Sequence, residues 1–372
     1  MEDLMRALII TIAVIVMPCV LLAVNVSAHP AWGIALDRNN QIYFSDIETI
    51  WKIDAQGKLT VFRAGVSGRH VHEINLGEDG NLYGVDNSYE PATQRFIAAL
   101  WTMTPDGKFS YLVAPTSDPP KGMTNWKDAA GNRYYVGSSD NTGREVFVLK
   151  RTPDGKVTTL AGNRQAGDAY RQVALYSVGG MAFDSAGTLY FTDNPNVRKV
   201  TMDGTMTMLA SNVALENRAQ SATPDSSVTR LFGIAVDAER NAFVADYGNR
   251  RVLKITSGGA ISTVARAEQP WAPTGVAVKD GNLYILEFGF TPPSTYTPRV
   301  RKLSPDGRIT LLATLGENSN PSAGAGSSGG VPERSAESKP RLSYILFALG
   351  ASILALTVVI WRFRRRASSH QH

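Results

Sequence analysis

Residues 233–264, GIAVDAERNAFVADYGNRRVLKITSGGAISTV, decide the fold of this chain. The stretch holds four short segments rich in Ala, Val, Ile and Phe, and polar turns separate them. Such segments favour β-strands, and such turns favour tight connections. The last turn contains Gly259, and glycine adopts without strain the positive φ that short hairpins need. Residues 233–264 therefore predict a unit of four antiparallel strands.

The same unit occurs six times along the chain, which is typical of a repeat architecture. Its first half recurs, once in a degenerate form, at 33–46, 73–86, 124–137, 180–193, 233–246 and 275–287. Its second half is a hairpin, and the turn glycines are Gly57, Gly107, Gly155, Gly204, Gly259 and Gly307. One four-stranded sheet leaves a face unburied, whereas six sheets arranged radially pack on one another. We predict an all-β fold, a six-bladed β-propeller of four-stranded antiparallel blades over residues 29–315.

The fifth copy, at 233–255, resembles the NHL repeat, whose pattern combines GIAVD, a second strand ending in AD, and N.RV.K. The stretch TTLAGNRQAGDAY at 158–170 is similar to the linker between bacterial NHL blades. The resemblance covers nearly all of residues 29–315 and implies a propeller in the wider superfamily of gluconolactonase-like and paraoxonase-like proteins. It implies little about function, because related propellers include lactonases, lyases and binding scaffolds.

Both ends of the chain carry segments typical of membrane targeting. An apolar run at 7–24 precedes Val26-Ser27-Ala28, which predicts a signal peptide over 1–28 or, alternatively, an uncleaved signal anchor. A second apolar run at 342–361 is long enough to span a bilayer as a helix.

Arginines follow the second apolar run, so the basic tail 362–372 is expected in the cytoplasm. Residues 316–341, rich in Gly, Ser and Pro, predict a flexible linker. We expect a membrane protein with one C-terminal transmembrane helix and a propeller outside the cytoplasm, either periplasmic or on the cell surface.

Charge and cysteine content exclude several classes of function. The net charge of +5 comes mostly from the tail, which contributes four arginines, and residues 29–341 carry only +2. A domain this close to neutrality lacks the basic surface that nucleic acid requires. The single cysteine, Cys19, lies in the N-terminal apolar run, so the predicted mature chain contains no disulfide and no thiolate chemistry.

Insertions fall on one face of the predicted propeller. They join first-half to second-half strands, or one blade to the next, at 87–99, 138–145, 163–177, 212–230 and 288–298. Aligning the copies gives one residue per blade where the innermost strand begins at this face: Trp32, His72, Met123, Gly179, Phe232 and Thr274. All of them except Gly179, together with nearby His70, Tyr89, Tyr247 and Trp271, are the predicted binding residues.

This ring of residues disfavours metal chemistry. In the gluconolactonase-like and paraoxonase-like calcium enzymes that this chain resembles, Glu, Asn and Asp lie near the ring position. Such residues supply oxygen ligands, of which calcium needs six to eight. A zinc lyase would need histidines from several blades, and the mature chain before the linker has only His29, His70 and His72. We expect no metal and no cofactor.

The segment 69–73, RHVHE, contains the weak catalytic candidates. His72 is a conceivable general base, with Glu73 or Asp86 to orient it. The competing interpretation, which the residues favour, is that His72 packs beside Trp32 and Phe232. The acidic residues that end the second strand of most copies are expected to cap turns: Asp46, Asp86, Asp193, Asp246 and Glu287.

The sequence thus favours a binding module that contacts an unknown small molecule, glycan or protein through the face with insertions. The alternative is a hydrolase or lyase that acts on a small lactone, ester or glycan at the central channel, without calcium. A purely structural spacer is the third possibility. The membrane contact is expected through 342–361, and no nucleic-acid partner is expected.

Overall fold

The computed structural model describes residues 30–120, 123–124, 126–128, 130–138, 146–162, 175, 177–215, 231–291 and 295–316. The predicted signal segment, most of the linker, the predicted transmembrane helix and the basic tail lie outside these residues. Within the described part of the chain, no helix has both the length and the apolar character needed to cross a membrane.

Six antiparallel sheets follow one another along the chain, which confirms the predicted six-bladed β-propeller. The first three sheets contain β1 (Ile34–Leu36), β2 (Ile42–Ser45), β3 (Ile50–Ile53) and β4 (Leu59–Arg63); β5 (Arg69–His70), β6 (Ile74–Leu76), β7 (Leu82–Glu90), β8 (Arg95–Met103) and β9 (Phe109–Thr116); and β10 (Arg133–Ser138), β11 (Val146–Arg151) and β12 (Val157–Gly162).

The last three sheets contain β13 (Val178–Phe183), β14 (Leu189–Asp193), β15 (Asn196–Val200) and β16 (Met206–Ala210); β17 (Leu231–Val236), β18 (Ala242–Asp246), β19 (Arg251–Ile255) and β20 (Ile261–Arg266); and β21 (Trp271–Lys279), β22 (Asn282–Thr291), β23 (Thr295–Leu303) and β24 (Ile309–Thr314). A short 3₁₀ helix, Val213–Leu215, follows the fourth sheet.

Two blades depart from the simple four-stranded pattern. In the second blade the innermost strand is divided into β5 and β6, and both pieces pair with β7. In the third blade the described residues of the innermost segment contribute one bridge, between Lys127 and Arg133. Both irregularities occur next to the central channel, where they affect the candidate site.

Apolar side chains fill the seams between blades. Phe44 of the first blade and Phe288 of the sixth are both buried in one such cluster, which closes the ring. Lys279 reinforces this closure, because its Nζ donates a hydrogen bond to the Asp37 carbonyl 2.7 Å away. Comparable clusters lie at four further seams. Among the described residues, no such cluster joins the second and third blades.

The hairpin turns form as the sequence predicts. All six turn glycines have positive φ, between 83° and 91°. Two of the predicted insertions, however, are not irregular loops. Residues 87–99 extend the β7–β8 hairpin and residues 288–298 extend the β22–β23 hairpin, because the strand ladder continues to the tip in both.

The acidic residues at the ends of the second strands mostly differ from the prediction. Asp46 caps a turn by accepting the Glu48 and Thr49 N–H groups, and Asp246 accepts the backbone N–H of Asn249 in the turn that follows it. All but Asp46 form ion pairs with arginines: Asp86 with Arg63, Asp193 with Arg198, Asp246 with Arg251, and Glu287 with Arg299 and Arg301. An unpaired buried carboxylate destabilises the fold more than an uncapped turn does. Arginines on nearby strands supply the charged partners.

Candidate functional site

The innermost strands are irregular at the predicted ring positions. The pairing register shifts at Gly179 in the fourth blade, at Phe232 in the fifth and at Thr274 in the sixth. In the second blade the strand is interrupted between β5 and β6, where His72 and Glu73 lie. Bulges redirect side chains near functional sites, and here they occur at the rim of the channel. In these four blades the aligned positions coincide with an irregularity of the innermost strand.

A cavity of about 520 Å³ occupies the mouth of the channel on the face with insertions. Five of the six ring residues line it, namely Trp32, His72, Met123, Gly179 and Phe232. Its polar groups include Glu73, Asn87, Thr124, Tyr135, Ser177 and Asn194. Its volume lies within the range of small-molecule sites, and its lining is divided about evenly between polar and apolar surface.

Aromatic rings form a continuous stack along one side of this cavity. The Trp32 ring stacks on His72 at 5.5 Å and on Phe232 at 5.6 Å, measured between ring centroids. Trp32 and Phe232 belong to the first and fifth blades, and the sixth blade between them contributes only the small, fully buried Thr274. His72 thus packs against Trp32, as the structural interpretation of the sequence predicts.

Glu73 lies at the floor of the cavity and connects three blades. Its Oε1 accepts the indole N–H of Trp32 at 2.9 Å, and its Oε2 accepts the indole N–H of Trp126 at 2.7 Å. These two donors come from the first and third blades, whereas Glu73 belongs to the second. The carboxylate is therefore held in one orientation by rigid aromatic side chains.

Glycine occupies the position equivalent to Glu73 in four of the other five blades: Gly33, Gly180, Gly233 and Gly275. A Cβ at Gly33 would lie 2.6 Å from the Ile74 nitrogen, and a Cβ at Gly233 would lie 2.9 Å from the Gly275 Cα. At these seams the backbone of the next blade occupies the space that a side chain would need. A glutamate at this position is incompatible with so close an approach, which accounts for the open space beside Glu73.

A second cavity of about 350 Å³ lies farther along the channel, among the innermost strands. Trp32, Glu73, Trp126 and Met181 line both cavities. The hydrogen-bonded group Trp32–Glu73–Trp126 therefore lies at a waist between the two spaces. A ligand in the outer cavity would rest against this waist.

Desolvation dominates the electrostatics of Glu73. Burial raises the pKa of the carboxyl from its usual 4.5 to about 7, although the hydrogen bonds from Trp32 and Trp126 lower it in part. Glu73 keeps some surface accessible to the two cavities. It therefore exchanges protons near neutral pH in a place that a ligand can reach, which is the behaviour of a candidate acid or base.

The remaining predicted site residues lie outside the cavity lining. His70 is exposed with its ring edge-on to His72, and Tyr247 packs edge-on against Phe232. Trp271 lies under the guanidinium of Arg299, 4.3 Å away, in the sixth blade. Each of these supports a neighbour of the site or a blade rather than facing the cavity.

Asp86 does not orient His72. Both of its oxygens accept hydrogen bonds from Arg63, at 2.7 and 2.6 Å, and Oδ1 also accepts the Trp101 indole N–H. It is buried at the seam between the first two blades. The Asp86 carboxylate already accepts hydrogen bonds from Arg63 and Trp101, which gives it a structural role. The pairing of Asp86 with His72, predicted as one option for a His72 base, is therefore not formed.

Sequence reasoning missed Trp126. The third copy is degenerate, and the alignment drew attention to Met123 three residues earlier. One signal was available, because position 73 is glutamate where most copies have glycine. A charged residue at a position reserved for close backbone contact implies a local gap and a partner to fill it.

Among the described residues, no group of three or more His, Cys, Asp or Glu side chains is placed to hold a metal ion.

No protein-family model and no curated protein matches the sequence. Among solved structures, the chain is similar to a virginiamycin B lyase from Staphylococcus aureus, with 16% identity over 76% of this chain and 83% of that chain and a TM-score of 0.43. It is also similar to a streptogramin B lyase (17%, 79% and 87%, TM-score 0.46) and to a gluconolactonase from Xanthomonas campestris (16%, 69% and 83%, TM-score 0.42). At this identity the likeness concerns the fold alone.

Proposed function

We propose that this protein is a membrane-anchored, extracytoplasmic propeller that binds a small molecule in the cavity at the channel mouth. The observation that carries the proposal is the cavity of about 520 Å³ whose floor is a carboxylate fixed by two indoles. The fixed carboxylate can orient a ligand by hydrogen bonding, and the rings of Trp32 and Phe232 beside it offer flat apolar surface. The apolar runs at 7–24 and 342–361 support the anchoring and the export.

The test is a cavity-filling substitution with a matched control. Val136 lines the cavity and is 45% exposed, while Val157 in the same blade is 51% exposed and lies outside the lining. We expect a panel of sugars, lactones and aromatic metabolites to contain a ligand that raises the melting temperature of the wild type, because a ligand that binds only the folded state stabilises it.

Val136→Trp should abolish that shift and Val157→Trp should preserve it. Both variants should retain a cooperative unfolding transition without ligand, since both positions are half-exposed. A shift that survives Val136→Trp would place the ligand elsewhere and contradict the proposal.

A second candidate function, a hydrolase or lyase, is favoured by the raised pKa of Glu73. A carboxyl with a pKa of about 7 in a ligand-sized cavity is suited to take a proton from water or from a carbon acid and return it. If a lactone or ester of the panel is turned over, Glu73→Gln should remove the activity and Glu90→Gln, at an exposed carboxylate, should leave it unchanged. Activity that persists in Glu73→Gln would exclude this role.

A further inference from the structure

The β7–β8 hairpin of the second blade projects two aromatic side chains into solvent. Tyr89 and Phe96 face each other across the ladder with ring centroids 5.2 Å apart. Tyr89 is 50% exposed and Phe96 is 75% exposed, the largest exposure of any large apolar side chain among the described residues. Burial of a phenylalanine side chain is normally favourable by about 1.5–3 kcal/mol. Transfer of these two rings from water to an apolar environment would therefore be favourable.

The hairpin tip lies on the face that holds the cavity mouth. The exposed Arg95 adjoins Phe96 at the tip, and the exposed Val66 precedes β5 at the same end of the blade. Arg95 faces the exposed Glu90 across the ladder, so the tip carries no net charge and its aromatic pair is the feature typical of segments that contact a bilayer interface. The patch is narrow, whereas a stable protein interface buries roughly 800 Å² on each partner. The observations thus favour a lipid surface over a protein.

The chain enters and leaves the propeller at this same face. The innermost strand β1 starts there, and the outermost strand β24 ends there at Thr314. Only residues 25–29 separate the N-terminal apolar run from the first described residue, and the 26-residue linker 316–341 precedes the second apolar run. The Gly, Ser and Pro content predicts a flexible linker, for which 26 residues would give a root-mean-square extension of about 28 Å. A tether this short makes even a weak contact with the membrane highly populated.

We propose that Tyr89 and Phe96 insert the tip of the β7–β8 hairpin into the interface of the bilayer that anchors this chain. The face with insertions then lies against the membrane, with Arg95 among the lipid headgroups. This inference rests on the predicted span 342–361 and not on the identity of the ligand, and it places the cavity mouth on the side of the propeller that faces the bilayer.

The test places an environment-sensitive fluorophore at the tip of the full-length chain in lipid nanodiscs of phosphatidylcholine and phosphatidylglycerol. In a Cys19→Ser background, Ala92→Cys puts the label in the turn without altering either aromatic residue. Met202→Cys is the control, because Met202 is 66% exposed on the opposite face.

We expect the label at position 92 to shift to the blue and to be protected from a water-soluble quencher, and the label at position 202 to remain aqueous. Replacing both Tyr89 and Phe96 by serine should return the label at position 92 to water without changing the melting temperature.

Any one of four results would overturn the proposal. The label at position 92 stays aqueous in nanodiscs, it shifts equally in the double serine variant, or the labels at positions 92 and 202 shift together. A chain that does not enter the nanodisc also overturns it.

Discussion

Glu73 connects the chemistry of the cavity to the packing of the propeller. Its carboxylate accepts hydrogen bonds from Trp32 and Trp126, and these hydrogen bonds favour the ionised form. Desolvation by burial favours the neutral form more strongly, so the pKa rises to about 7. The residue is therefore at once a structural link between blades and a group whose charge changes near neutral pH.

Glu73→Gln tests this assignment through the pH dependence of stability. A carboxyl whose pKa is higher in the folded state gives its full contribution to stability below pH 4.5 and loses it as the pH rises through about 7. The melting temperature of the wild type relative to Glu73→Gln should therefore fall across this window and level off above it.

Glu78→Gln, at a surface carboxylate near the opposite face, provides the control. Its melting temperature should run parallel to that of the wild type between pH 4.5 and 8. A difference between wild type and Glu73→Gln that does not vary with pH would show that Glu73 has an ordinary pKa.

At the scale of the strand, the closeness of the inner strands depends on glycines. A Cβ at Gly233 would lie 2.9 Å from the Gly275 Cα and 3.0 Å from the Thr274 carbonyl oxygen, so both inner strands would have to move. Gly233→Ala should lower the free energy of unfolding by about 1–3 kcal/mol, as overpacking does.

Gly258→Ala is the matched control in the same blade, since a Cβ there meets nothing nearer than 4.0 Å. It should be neutral or slightly stabilising, because alanine restricts the unfolded chain. Denaturant titration measures both variants. Equal effects at the two positions would mean that the close approach of the inner strands at Gly233 does not require a glycine there.

The strands themselves could be predicted from the sequence, because each copy repeats the same alternation of apolar segment and turn. The turn glycines and the ring positions followed from aligning the copies. The ion pairs of Asp193 and Asp246 did not, because a strand-ending carboxylate has the same sequence context whether it caps a turn or faces an arginine. Trp126 was missed for a related reason, since its copy is degenerate and its partner Glu73 lies 53 residues earlier.

At the scale of the whole molecule, the seams between blades are unequal. Five seams hold clusters of buried apolar side chains, and in the described part of the chain the seam between the second and third blades does not. The Glu73–Trp126 hydrogen bond crosses that seam, and a cavity of about 660 Å³ opens beside it on the opposite face. Apolar burial is the larger stabilising term, so this seam should be the weakest.

Hydrogen exchange followed by mass spectrometry tests the order of opening. Amides of β10 and β11 in the third blade should exchange sooner than those of β18 and β19 in the fifth, because local opening follows local burial. Trp126→Phe keeps the ring but removes the donor, and it should accelerate exchange in β10 without affecting β18. Uniform protection across the blades would contradict the account of unequal seams.

The measurement that tests the ligand site most directly is the fluorescence of its own tryptophans. Trp32 and Trp126 line the cavity, whereas Trp271 lies outside its lining against Arg299. A ligand that raises the melting temperature should also change the emission of the wild type, and the change should persist in Trp271→Phe. It should be lost when Trp32 and Trp126 are both replaced by phenylalanine. A response that survives this double substitution and disappears in Trp271→Phe would contradict binding at the channel mouth.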